Sequence, residues 1–153
     1  MYKRHEASKL KSEFWTTFGH YMNPVPSAEG LPIHWINYRT TYKDVFFRMN
    51  ADHHQASISI SLEQKNPAIR VLYFEKLLTF QQLLHTILQE EWIWKPEVTL
   101  EEGKVISRVS KELTGVSVYQ KEDWPALISF FKPRLIALDQ FWADARYSFE
   151  ELR

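Results

Sequence analysis

The most regular pattern in the chain is an alternation. Ala56, Ile58, Ile60 and Leu62 alternate with Ser57, Ser59 and Ser61, and just upstream Val45, Phe47 and Met49 alternate with Asp44, Phe46 and Arg48. Side chains two apart on a strand share a face, so the two runs predict an antiparallel pair with one buried face. The polar Asn50-Ala51-Asp52-His53-His54 stretch connects them.

Helical spacing flanks this pair. Ala7, Leu10, Phe14 and Phe18 predict an amphipathic helix over about residues 5 to 21, stopped by Pro24 and Pro26. After a loop over 23–30, the β-branched and aromatic residues of Ile33-His34-Trp35-Ile36-Asn37-Tyr38 predict a short strand. Asn66-Pro67 opens a second helix, because Asn caps free amides and Pro is tolerated in the first turn. Its apolar stripe runs through Ile69, Leu72, Tyr73, Leu77, Phe80, Leu84, Ile87 and Leu88 to about Glu91.

A second antiparallel pair is expected from Trp92–Leu100 and Val105–Val109 around the Glu101-Glu102-Gly103-Lys104 turn, with Pro96 at an edge or bulge. Val116–Tyr119 reads as a short extended segment. Asp123-Trp124-Pro125 opens the last helix, with Asp123 as the cap, and Pro133 is expected to kink or divide it. The predicted class is α+β, a mainly antiparallel sheet packed against three helices in the order α-β-β-β-α-β-β-α.

Composition narrows the picture. With 153 residues, 44% of them apolar and 15% aromatic, the chain suits one domain spanning 1–153 with a single core. Cys is absent, which excludes disulfides, thiolate metal sites and a cysteine nucleophile. No apolar run approaches the length of a membrane span and no signal-type segment follows the basic start, so a cytoplasmic location without membrane partners is expected. Nineteen basic and nineteen acidic residues cancel. That argues against an autonomous duplex-DNA binder and leaves room for self-association.

The segments Phe14-Trp15-x-x-Phe18, Trp35-Ile36-Asn37-Tyr38, Phe46-Phe47-Arg48-Met49-x-x-Asp52, Glu91-Trp92-Ile93-Trp94 and Asp123-Trp124-Pro125 through Leu138-Asp139-x-Phe141 carry a resemblance. Over most of residues 10–150 the chain resembles an uncharacterised bacterial domain family, domain of unknown function 4268. Its members are free-standing or fused to predicted restriction-endonuclease-like proteins. The resemblance implies an association with nucleic-acid-processing or defence systems and names no functional residues.

Three kinds of site deserve weighing. Trp35, Tyr38 and Arg39, with Arg48 on a nearby strand and Lys43 close in sequence, are candidates for nucleic-acid binding, since aromatic faces stack on bases and cations meet phosphates. The same rings also suit a protein partner, a nuclease-system protein or a homodimer. Asp52 followed by Glu63-Gln64-Lys65 has the spacing of a metal-dependent nuclease: two carboxylates would hold Mg or Mn, and Lys65 would orient water. No cofactor is expected outside that alternative. His53-His54 is expected to have a turn or surface role, because neighbours on a strand face opposite ways and no Cys or spaced His completes a tetrahedral set. An accessory interaction domain, nucleic-acid-binding or nuclease-associated, is the favoured expectation; a protein-only interaction domain and a nuclease-like enzyme are the alternatives.

Overall fold

The computed structural model describes residues 3–153. Its α-helices are α1 (Arg4–Met22), α2 (Pro67–Leu78), α3 (Gln81–Leu88) and α4 (Trp124–Ala145), and its strands are β1 (Val45–Ala51), β2 (Gln55–Leu62), β3 (Ile93–Thr99) and β4 (Val105–Thr114). Short 3-10 segments, Lys121–Asp123 and Arg146–Leu152, flank α4. The strands form one fully antiparallel sheet in the spatial order β1-β2-β4-β3.

The class is therefore α+β, but the expected count and order are corrected: four α-helices rather than three among the described residues, in the order α-β-β-α-α-β-β-α. Two local events cause the difference. Ile33–Tyr38 is not a strand. Its polar groups and those of the surrounding loop bind side chains instead of a ladder: Trp35 Nε1 donates to the Val25 carbonyl (2.9 Å), Tyr38 Oη to Asp139 (2.5 Å) and Trp142 Nε1 to the Thr40 carbonyl (2.8 Å). Positive φ values at Thr41 and Asp44 (67° and 63°) further break any extended run before β1.

The second event splits the predicted 66–91 helix. Thr79 Oγ1 bonds back to the Lys76 carbonyl (2.6 Å), and Phe80 leaves helical geometry at φ −103°, ψ 10°. The turn carries the Phe80 ring to Phe141 and Phe149 and lets α3 pack on α4. Continuing straight would forfeit that burial. Conversely, Pro133 does not divide α4. Proline removes one amide donor there, yet the helix runs on through Pro133 to Ala145.

Other expectations hold or shift slightly. Asn66 Oδ1 accepts the amides of Ala68 and Ile69, so the predicted cap forms. Asp123 stands at the N-cap of α4 as expected, but its side chain makes no cap bond; it accepts the Ser117 amide (2.9 Å) and so holds the turn that replaces the expected extension over Val116–Tyr119. Pro96 lies on edge strand β3, where the register slips between Lys95 and Val98.

The core lies on one face of the sheet. Val45, Ala51, Ala56, Ile58, Ile60, Leu62 and Val109 meet Phe14, Phe18, Leu77, Leu84, Phe131, Leu138 and Trp142 in a single buried cluster. Helices α2 and α4 touch the sheet directly, while α1 and α3 pack against α4. At about 25 cal/mol per Å² of apolar surface removed from water, a fully buried Leu or Phe contributes about 1.5–3 kcal/mol. This layer thus dominates stability.

Candidate nucleic-acid interface

Residues paired across antiparallel strands point to the same side, so the register defines the opposite face without further assumption. Phe46, Arg48 and Asn50 of β1 pair with Ser61, Ser59 and Ser57 of β2. Those serines pair with Arg108, Ser110 and Glu112 of β4, and Arg108 and Ser110 pair in turn with Lys95 and Ile93 of β3. Phe46, Ile93, Val98 and Ile106, the apolar residues on this side, all stand outside the core cluster.

The floor of this second face is made of serines. Ser59, Ser61 and Ser110 are buried between longer neighbours. Arg48 lies with its guanidinium carbon 4.0 Å from the centre of the Phe46 ring, a cation–π stack that leaves about half of the Arg48 side chain in water. Arg48 Nε and Nη2 donate to both oxygens of Glu63 (3.0 and 3.1 Å), Lys104 Nζ donates to one of them (2.6 Å) and Ser61 Oγ to the other (2.8 Å). Burial pushes the Glu63 carboxyl up, but the hydrogen bonds from Arg48, Lys104 and Ser61 outweigh it and hold the group down at about 2.

Beside this cluster, Lys95 stands directly across from Arg108. Like charges at such a position oppose each other. Arg108 Nε is buried and has no hydrogen-bond partner among the described residues. Each unpaired buried donor carries a desolvation cost of about 1–3 kcal/mol, more for a charged group. The face thus holds Arg48, Lys95, Lys104 and Arg108 against Glu63 and Glu112, a local positive surplus in a chain of zero net charge.

The candidate residues read from the sequence do not form one surface. Trp35 is a core residue. Tyr38 stacks on Phe47 (4.7 Å), a residue of the core side of β1, and so lies away from Arg48. Burial and then the hydrogen bond to Asp139 raise the Tyr38 phenol well above its ordinary range. Tyr38 and Arg39 instead line a cleft of about 480 Å³ with Glu29, His34, Asn37 and Arg146. Lys43 lies at the end of the sheet in a groove with Lys65, Asn66 and Arg153, over the buried Gln64, whose amide has no partner among the described residues. Arg48 alone of the five belongs to the second face. Phe46, Lys95, Lys104 and Arg108 were missed, since only the strand register brings them beside it.

The nuclease constellation does not assemble. Asp52 closes one end of the β1–β2 hairpin, where its amide meets the Gln55 carbonyl, whereas the Glu63 amide meets the Asp44 carbonyl at the other end. The pairs from Val45↔Leu62 to Ala51↔Ala56 lie between them. Since Asp52 lies eight residues along from Asp44, at about 3.4 Å per residue their backbone positions are roughly 27 Å apart. One cation with oxygen ligands at about 2.0–2.6 Å cannot bridge that gap. Glu63 is occupied by Arg48 and Lys104, and Lys65 is exposed beyond the strand.

A family model described as "Domain of unknown function (DUF4268)" matches residues 10–146. The chain belongs to this family. The match runs from within α1 to just past the end of α4, so it covers the whole sheet, α2, α3 and α4. No curated protein and no solved structure matches the chain. Among the described residues, no helix is long and apolar enough to cross a membrane.

Proposed function

We propose that this domain is an accessory module that binds single-stranded nucleic acid across the serine-floored face of its sheet. The observation that carries the reading is the cross-strand pair Lys95 and Arg108, two cations set opposite each other on the face that also carries Arg48. A phosphate between them offsets their repulsion. The Phe46–Arg48 stack supplies a flat platform for a base. Catalysis has no comparable support, since the two candidate carboxylates sit at opposite ends of the hairpin.

The test is fluorescence anisotropy with labelled single-stranded DNA and RNA of mixed sequence over a salt series. Binding is expected to weaken as salt rises. The double variant Lys95→Ala, Arg108→Ala should weaken it at least tenfold and reduce the salt slope by about 0.7, the loss of one single-strand phosphate contact. No binding at low salt, or a double variant that binds like the parent, refutes the reading.

A second reading rests on α2, which exposes Ile69, Val71, Leu72 and Leu78. Exposed apolar side chains of this kind on both flanks of the helix suit a protein partner, either a nuclease-system protein or a second copy of the chain. Light scattering during size-exclusion chromatography distinguishes a homodimer, whose mass Leu72→Glu should halve.

A further inference from the structure

The β1–β2 turn gathers three potential metal ligands. The expectation that His53 and His54 face opposite ways assumed a strand, but both lie in the bend between Asp52 and β2, where side-chain alternation does not apply. His53 Nε2 and His54 Nδ1 are 3.1 Å apart, and His54 Nδ1 is 3.4 Å from Asp52 Oδ1. One ligand atom from each of the three residues lies within 4.8 Å of the other two. Around a tetrahedral ion with bonds of about 2.0–2.1 Å, ligand atoms stand about 3.3 Å apart, so two of the three edges already have suitable length.

The backbone holds this turn from two sides. The Val118 amide donates to the Asp52 carbonyl (3.0 Å), and the Gly115 amide donates to the His54 carbonyl (2.9 Å). Asp52 Oδ1 also accepts the amides of His54 and Gln55 (both 2.9 Å), which orients the carboxylate and leaves Oδ2 free. Two half-free imidazoles and one anchored carboxylate form a borderline nitrogen–oxygen donor set. Such a set favours zinc, nickel or copper over magnesium or calcium, which prefer oxygen ligands throughout.

We propose that Asp52, His53 and His54 form a three-ligand site for a divalent transition-metal ion of the zinc class, with its remaining coordination open to water or an external donor. The site is separate from the nucleic-acid face, and neither depends on the other. Isothermal titration of the full chain with zinc chloride should show one equivalent bound. His53→Ala and His54→Ala should each weaken it at least tenfold, while His20→Ala and His34→Ala should leave it unchanged. Cobalt(II) provides a second readout: intense visible bands from a four-coordinate nitrogen-ligated ion should appear with the parent and vanish with His53→Ala. Both histidines are exposed, so the variants should keep the parent melting temperature without metal, and zinc should raise that temperature only in the parent. Absence of zinc binding, or titrations of His53→Ala and His54→Ala that superimpose on the parent, overturns the proposal.

Discussion

On β2, Ile58 and Ile60 are wholly buried against the helices, while Ser59, between them, turns to the other side and lies between Arg48 and Ser110. Two faces built from the same strands follow different rules. On the core face, neighbours are chosen for volume and for absence of polar atoms, and the penalty for a mistake is desolvation or a cavity. On the second face, small hydroxyls sit beneath long charged side chains, and the arrangement Lys95–Arg108 does nothing for stability.

The largest test of this contrast is a charge on the core face. Ile60→Asp should cost several kcal/mol, enough to threaten a domain of ordinary marginal stability, and urea denaturation reads the loss directly. A variant that unfolds at the parent midpoint contradicts the placement of the core.

Next comes Glu63, the member of the second face most tied to stability. Glu63→Gln should destabilise by about 1–2 kcal/mol, since its cationic partners keep access to water. The same change frees Arg48 and Lys104, so nucleic-acid affinity should rise as stability falls. Loss of both would place Glu63 in the binding contact itself.

The pH dependence has a defined sign. Because the folded Glu63 carboxyl is held at about 2, below its ordinary value near 4.5, its contribution is fully present above about pH 4.5 and is lost as pH falls toward 2. Glu63→Gln should flatten thermal stability across that window. Tyr42 behaves oppositely: burial, then its bond to Glu150, pushes the phenol up to about 12, so its contribution is present below pH 10 and lost as pH rises through 12. Tyr42→Phe should remove that alkaline slope.

Smaller effects complete the series. Asn66→Ala should cost about 1 kcal/mol by leaving the Ala68 and Ile69 amides uncapped. Ser59→Ala should change stability by less than about 0.5 kcal/mol, because Ser59 fills no hole between helices. If Ser59→Ala costs as much as a core truncation, the two faces are not distinct in the way described.

Much of the core was legible before the fold was known. The alternation through Ala56–Leu62 and the helical stripe through Phe14, Phe18, Leu135 and Leu138 identify inward-facing residues because period and burial are linked by backbone geometry. The Asn66 cap and the placement of Pro96 followed from local chemistry of the same kind. The candidate sites were far less legible. Trp35 and Tyr38 have the composition of a stacking surface, yet ring exposure depends on what packs over them, and here that is the 23–44 loop and α4.

What the sequence determined by itself was the set of local preferences: which residues extend, which coil, and which side of each element is apolar. Only the tertiary structure decided what those elements bring together. Antiparallel pairing moved Asp52 and Glu63 to opposite ends of one hairpin, although they are eleven positions apart in sequence. The same pairing laid Lys95 across from Arg108 and aligned both with Phe46 through Ser61 of β2, one row from Arg48. Strand register and turn geometry are set by the simultaneous burial of the whole core face. The residues on the other face are carried to their places by that burial, so no local pattern in the sequence records where they meet.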